Sequence, residues 1–217
     1  MRLRFALLLF FFVIIFTTVH TQTTDNILWA GVQVKQNLGE RTNWAVKPIL
    51  RLNEDLSAYE NWSIDLSVTH RFADRLSVRF LHRTWFIPEQ TDRHFFWLDL
   101  IHNQPLGPFK WSNQLRLHYA ADVKERVDGD FIRFQSQFMF TKLGKVKPFV
   151  GVEPWFQMGD FQQWQRIRYQ GGIRYQLSQR WSVAGVLWRE VWWNNAPDPV
   201  FNIWVVSLNY QLPTAKD

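Results

Sequence analysis

The sequence contains no cysteine, and this absence excludes several kinds of site. Disulfides, thiolate zinc sites and a lipid-modified cysteine all require that residue. Long apolar runs are also lacking beyond the first 22 residues, where the longest are short stretches such as 203–206. A membrane-spanning helix needs about 20 apolar residues, so we expect none in that part of the chain.

Local motifs of barrel enzymes that act on lipids are missing as well. There is no Gly-x-Ser-x-Gly nucleophile elbow and no His-x-Ser spacing. We interpret the available side chains as interior hydrogen-bonding or interfacial groups and predict no catalytic residues. The side chains considered for catalysis are His82, His94, His102 and His118, with Ser112, Ser136 or Asp99.

Metal and nucleic-acid sites are not indicated either. Asp122, Glu125, Asp128 and Asp130 share one acidic segment, but their spacing matches no EF-hand, and a solvated loop is the favoured interpretation. The formal net charge is +6, and +4 once Arg2 and Arg4 are removed (25 − 2 = 23 basic against 19 acidic residues). This excess is too small to indicate nucleic-acid binding. We therefore expect no metal, no cofactor and no nucleic-acid partner.

Residues 1–22 have the pattern of a cleavable signal peptide. A basic start is followed by the twelve-residue apolar run 5–16 and by a polar exit, which is too short to span a bilayer as a helix. Val19 and Thr21 would occupy positions −3 and −1 of the cleavage site. We expect export by the general secretory route.

The rest of the chain alternates apolar and polar residues, as half-buried strands do. In 62–69 every even position is apolar and every odd one is polar. The predicted strands are 27–37, 42–52, 61–71, 75–86, 93–104, 110–120, 131–142, 146–157, 163–177, 180–193 and 199–212. Short linkers alternate with mostly longer polar loops, which is the outer-membrane arrangement. The prediction is an all-β, closed, antiparallel transmembrane β-barrel, an up-and-down meander at 23–212 followed by a short tail at 213–217.

The pattern leaves more than one number of strands open. Bacterial single-chain barrels have an even number of strands, whereas the pattern gives eleven. Leaving segment 27–37 out of the wall gives ten, and splitting 163–177 gives twelve. We expect a barrel of about 10–12 strands and favour ten.

A secreted soluble barrel would show the same alternation, with its faces reversed. Three features favour the membrane barrel. The last strand ends in Leu208, Tyr210 and Leu212. Charges inside strands are mostly arginine, whose five donors suit an enclosed lumen: Arg51, Arg79, Arg83, Arg116, Arg133, Arg166, Arg168, Arg174 and Arg189. Aromatic residues near strand ends are typical of membrane girdles: Trp44, Trp62, Trp85, Trp111, Tyr119, Trp155, Trp164, Trp181, Trp192 and Trp193.

Several landmarks resemble an uncharacterised family of small bacterial outer-membrane β-barrels. They are Trp29, Arg51, the hairpin of strands three and four, Glu153 after Pro148 and Phe149, and the segment 166–175. The resemblance implies an outer-membrane barrel and no assigned activity. Such barrels often pair Glu with Arg in their central strands, whereas here Asp99 stands alone in an apolar run.

The charge layout gives the candidate functional residues. The predicted strands hold only four acids, Asp65, Asp99, Glu153 and Glu190, so we expect a basic lumen. The predicted lumen charge network is Arg51, Asp65, Arg79, Arg83, Asp99, Arg116, Arg133, Glu153, Arg166, Arg168 and Arg174.

A structural or scaffold barrel with an occluded lumen is the favoured function. The alternatives are a narrow anion-preferring channel, a lipid-modifying enzyme and a secreted soluble ligand-binding barrel. The expected location is the outer membrane of a Gram-negative bacterium. The expected partner is outer-membrane lipid, and the channel alternative adds a small anionic solute.

Overall fold

Eleven β-strands account for most of the residues that the structure describes. This computed structural model describes residues 24–121, 130–158, 163–193 and 199–214. The predicted signal peptide and most of the acidic segment 122–130 lie outside these residues. The strands are β1 (Thr24–Asn37), β2 (Thr42–Asn53), β3 (Ala58–Ala73), β4 (Leu76–Phe86), β5 (Arg93–Leu106), β6 (Phe109–Ala121), β7 (Phe131–Phe140), β8 (Val146–Gln157), β9 (Gln163–Gln176), β10 (Trp181–Trp192) and β11 (Val200–Gln211).

The strands form one closed barrel in which neighbours in sequence are neighbours in the sheet. Each observed strand begins and ends within three residues of its predicted bounds. The period-2 pattern located the strands because alternate side chains point to opposite faces of a sheet. The predicted all-β, up-and-down, closed barrel is confirmed. No helix long and apolar enough to cross a membrane occurs within the described ranges.

The preference for ten strands is wrong, because β1 belongs to the wall. It pairs with β2 on one side and with β11 on the other. With an odd number of strands, the first and the last run in the same direction, so β1 and β11 pair in parallel, from Thr24 opposite Val200 to Lys35 opposite Gln211. The predicted fully antiparallel wall therefore has one parallel pair, and the two ends of the wall lie at opposite ends of the barrel.

Contacts at both ends of β1 hold it in this position. At the loop end, the Asn26 side-chain amide donates to Asp55 Oδ1 at 2.8 Å, and the backbone N–H of Asp55 donates to Asp25 Oδ1 at 3.0 Å. At the end with the short turns, the backbone N–H of Leu212 donates to the carbonyl of Lys35 at 2.8 Å. These bonds satisfy polar groups that an unpaired edge strand would leave open.

Apolar side chains face outward and charged ones face inward, as predicted. Leu66 is 47% exposed and Val206 is 48% exposed, whereas Asp65 is 7% exposed. The face prediction is confirmed at these positions and at others along the wall. The further outward positions are Val78, Leu117, Phe134 and Ile167, and the further inward ones are Arg79, Arg116, Arg133 and Arg166.

A cross-linking experiment tests the parallel closure. Ala30 and Val206 are direct partners across the β1–β11 pair, and neighbouring strands lie about 4.8 Å apart. The double variant Ala30→Cys/Val206→Cys should therefore form a disulfide on oxidation, detected as a shift on a non-reducing gel. The chain has no other cysteine.

The matched control pairs Ala30→Cys with Leu208→Cys, on the same face. Leu208 lies opposite Val32, and the two-residue offset places the Cα atoms more than about 7 Å apart, too far for a disulfide. A ten-strand wall without β1 would cross-link neither pair, and equal cross-linking of both pairs would contradict the register.

Candidate functional site: the interior charge network

Four buried carboxylates face the barrel interior, one each on β3, β5, β8 and β10. They are Asp65, Asp99, Glu153 and Glu190. Each lies in the middle of its strand or toward its loop end. An ionised carboxylate removed from water requires paired charges or hydrogen-bond donors, and arginines on neighbouring strands supply both. We call these carboxylates and their arginine partners the interior charge network.

Asp99 joins three adjacent strands through two arginines. It lies directly opposite Arg79 on β4 and Arg116 on β6. Arg116 Nε donates to Oδ1 at 2.6 Å, Arg116 Nη2 donates to Oδ2 at 3.0 Å, and Arg79 Nε donates to Oδ2 at 2.7 Å. Asp99 is 0% exposed. The acid that stands alone in its apolar run is therefore paired on both sides in the sheet.

Asp65 and Arg83 form a two-bond pair between β3 and β4. They are direct cross-strand partners. Arg83 Nε donates to Oδ1 at 2.5 Å, and Arg83 Nη2 donates to Oδ2 at 2.7 Å. This forked geometry is the strong form of an arginine–carboxylate interaction.

Arg168 on β9 connects the two glutamates. It lies opposite Glu153 on β8 and opposite Glu190 on β10. Its Nη1 donates to Glu153 Oε1 at 3.4 Å, and its Nε donates to Glu190 Oε2 at 2.9 Å. Arg133 also donates to Glu153 Oε1, and Arg166 Nη1 donates to Glu190 Oε1 at 3.0 Å. The two carboxylates thus link strands β7 to β10.

Inward-facing tryptophans stack on the same guanidinium groups. Trp97 lies under Arg83 and Arg116, with the guanidinium carbons 4.4 and 4.1 Å from its ring centroid. Trp155 lies under Arg133 and Arg166 at 3.7 and 3.6 Å. These distances are within the range of cation–π attraction, which is stronger for desolvated cations.

Indole N–H groups complete the coordination of the glutamates. Trp155 Nε1 donates to Glu153 Oε1 at 2.7 Å, and Trp192 Nε1 donates to Glu190 Oε1 at 2.7 Å. The network is therefore a packed assembly of arginine, carboxylate and tryptophan rather than a row of isolated ion pairs.

Trp85, Trp155 and Trp192 were predicted to lie in a membrane girdle, and that prediction is wrong. All three face inward, against Arg51, Arg133 and Arg166 respectively. Each lies two residues from a charged inward residue, Arg83, Glu153 or Glu190. Strand alternation puts such positions on one face and would have identified them.

Three of the nine strand arginines have no carboxylate partner within hydrogen-bond distance among the described residues. Arg51 is stacked between Trp29 and Trp85 at 4.4 and 4.3 Å, and its Nε and Nη2 atoms lack hydrogen-bond partners in the described part of the chain. Arg174 lies inside, near the short turns. Arg189 was counted with the lumen arginines, but it lies on the outer face of the wall, because its neighbours Trp188 and Glu190 face inward. Its side chain donates to Asn202 at 3.4 Å.

The structure places all eleven predicted network residues inside the barrel. It brings together nine of them in ion pairs, and Arg51 and Arg174 stand apart. Glu190 was recognised as a strand acid but was left out of the predicted network, although it binds Arg166 and Arg168. The feature of the sequence that points to Glu190 is its position two residues before Trp192. In the sheet it also lies directly opposite Arg168.

The side chains considered for catalysis do not assemble into a reactive group. His82 Nε2 and His94 Nδ1 lie 3.2 Å apart on the outer face of β4 and β5, away from the interior acids. The Ser112 hydroxyl donates to Asn103, and the Ser136 hydroxyl accepts from the Trp111 indole. His118 faces inward between Phe95 and Phe131. Within the described ranges there is also no group of three metal-ligating side chains.

Loss of one carboxylate tests how far the barrel depends on this network. Asp99→Asn removes the charge that Arg79 and Arg116 share, which leaves two buried cations uncompensated. We expect the free energy of unfolding to fall by about 3–5 kcal/mol, measured by urea unfolding of the refolded protein in detergent. Asp74→Asn, in the exposed turn after β3, is the control and should change stability by less than about 0.5 kcal/mol. Equal stability of the two variants would show that the Asp99 pairs contribute nothing.

Comparison with known proteins identifies the family but no activity. Residues 26–198 match the family model described as "Protein of unknown function (DUF2490)". Neither the curated proteins nor the solved structures gave a match. The matched region reaches from β1 to the segment before β11, so it contains the whole interior charge network. The resemblance to an uncharacterised barrel family is confirmed, and the chain belongs to this family of proteins of unknown function (DUF2490).

Proposed function

We propose that this chain is an outer-membrane β-barrel of a Gram-negative bacterium, with an interior occluded by the charge network and a structural role. The observation that carries the proposal is the polarity of the wall. Charged side chains are buried inside, while large apolar side chains are exposed outside. A lipid bilayer is the solvent that favours this arrangement, because it accepts apolar surface and excludes unpaired charge.

The exposed apolar surface runs around the barrel and is not a single patch. Soluble monomers rarely expose apolar patches larger than a few hundred Å². Here, exposed apolar residues recur on the outer face of strand after strand. Examples are Val32, Leu50, Leu66, Val68, Phe80, Leu98, Leu100, Leu115, Leu117, Phe134, Val150, Ile173, Trp204 and Val206.

The interior of the loop-side half is filled by side chains. Phe95, Trp97, Phe131 and Trp155 are all buried, and they pack among the paired arginines and carboxylates. Leu81 joins Phe95 and Trp97 in one apolar cluster. This packing supports a closed barrel stabilised by its own interior, as in small barrels whose lumen is just wide enough to be filled by side chains.

The wall and the candidate side chains also separate this proposal from two alternatives. A secreted soluble barrel that binds an apolar ligand needs a polar outer surface and an apolar interior, which is the reverse of this arrangement. A lipid-modifying enzyme needs a nucleophile beside a base, and within the described residues no hydrogen bond joins a candidate histidine to a candidate serine. An anion-preferring channel needs a continuous lumen, and bilayer recordings distinguish it from the closed barrel.

Membrane insertion predicts a cost of charge that depends on depth. Leu117 faces outward within β6, whereas Phe72 faces outward next to the short turn after β3. In lipid vesicles, Leu117→Arg should lower the free energy of unfolding by about 2–4 kcal/mol, and Phe72→Arg by at most about 1 kcal/mol. An outer face in water would tolerate both substitutions equally.

Cell fractionation should agree with that measurement. The mature chain should sediment with outer membranes after a salt wash, dissolve only in detergent, and migrate differently on gels before and after boiling. Recovery in the salt-washed soluble fraction would contradict the proposal.

Occlusion predicts that the purified barrel carries no steady current in planar bilayers. Because the arginines pack the interior, Arg116→Ala and Arg168→Ala should lower the urea midpoint instead of changing conductance. A small current with anion preference, weakened by these substitutions, would favour the channel. A cation-selective current would contradict the argument from interior charge altogether.

A further inference from the structure

A second group of inward-facing cations lies near the short turns, away from the interior charge network. Lys35, Lys110, Lys147 and Arg174 each lie within two residues of the turn end of their strand, and Lys47 lies further along β2. Strand alternation puts them inside: Lys47, for example, lies between the buried inward residues Ala45 and Ile49. We call these five residues the turn-side cations.

Several of the turn-side cations lie near other cations. Lys110 interacts electrostatically with Arg174, Lys147 and Lys35, all of the same sign. Asp65 lies opposite Lys47, but both of its oxygens accept bonds from Arg83. Within the described residues, no carboxylate forms an ion pair with any of the five. The four interior carboxylates are all bound to arginines of the network, so none is left to pair with the turn-side cations.

A cavity of about 210 Å³ lies among these groups. Lys47 and Arg174 line it together with Arg83, Ser207, Trp29 and Trp188, and no carboxylate lines it. The indole N–H groups of Trp29 and Trp188 are buried and lack hydrogen-bond partners among the described residues. Buried donors are almost always satisfied, so these two indole N–H groups call for an acceptor inside the cavity.

We propose that the cavity binds a small oxyanion of the phosphate class. Such an anion supplies the negative charge that the lining residues lack, and its oxygens can accept from the two unpaired indole N–H groups. Arg174 offers a planar fork that matches two phosphate oxygens, and Lys47 offers a point charge. One water occupies about 30 Å³, so the cavity exceeds a single water and accommodates a compact anion. Direct and water-mediated bonds both serve such a ligand.

Solvent reaches the site from the turn end. Lys110 and Arg174 are exposed although they face inward, whereas the network above them is buried. If the barrel has the proposed outer-membrane orientation, this end faces the periplasm. Binding itself does not depend on that orientation, so the two proposals fail separately.

Phosphate titration of the purified barrel in detergent tests the site. At low ionic strength, isothermal calorimetry with inorganic phosphate should show saturable binding of one anion per barrel. Lys47→Gln and Arg174→Gln should each weaken binding about tenfold or more, and the double variant should weaken it further. The control is Lys142→Gln, which removes an exposed lysine in the turn after β7 and should leave the affinity unchanged.

Three outcomes would overturn the proposal. They are no saturable binding to the wild type, equal weakening by the control, and full affinity in the double variant. Folding of each variant is checked by its heat-dependent gel mobility. If Arg174→Gln does not fold, Lys47→Gln with Ser207→Ala, both at residues that line the cavity, replaces the double variant and should weaken binding at least as much as Lys47→Gln alone.

Discussion

The pairing of arginine with carboxylate inside the barrel is the interaction on which the rest of the structure depends. A wall that is apolar outside must turn its polar positions inward, where water is scarce and unpaired charge is costly. The strand register solves this problem by placing Arg79, Asp99 and Arg116 directly opposite one another, and likewise Glu153, Arg168 and Glu190. A slip of one residue would exchange the faces and destroy both sets of pairs, so the network also fixes the register.

The interior is divided by charge into two halves with different properties. In the loop-side half, six arginines share four carboxylates, and tryptophan faces spread the remaining positive charge. In the turn-side half, Lys47 and Arg174 line a cavity, and the other turn-side cations lie near the turns. In the proposed occluded barrel, a packed layer of paired charges above a basic cavity makes a blind pocket rather than a pore.

The sequence was sufficient to predict the strands, the faces and most members of the network, because all three follow from period-2 alternation and residue type. It could not predict which acid binds which arginine, since that depends on register across strands far apart in sequence. The tryptophans show a second limit. A residue such as Trp155 near a strand end suits either a girdle or the interior, and only its spacing from Glu153 distinguishes them. The prediction for Arg189 was wrong for a related reason. Its residue type suggested the interior, whereas its position between inward-facing Trp188 and Glu190 puts its side chain on the outer face.

The odd number of strands is connected to the same interior chemistry. General experience with bacterial barrels favoured an even number and a wall without β1. Yet β1 contributes Trp29, one of the two rings that enclose the Arg51 guanidinium at 4.4 and 4.3 Å. Arg51 has no carboxylate within hydrogen-bond distance among the described residues, so these rings supply much of its stabilisation. A barrel with an even number of strands, closed by pairing β2 with β11, would lack Trp29. The buried Arg51 guanidinium would then keep only one of its two stacking rings. The parallel β1–β11 pair is therefore the closure that lets the interior accommodate Arg51.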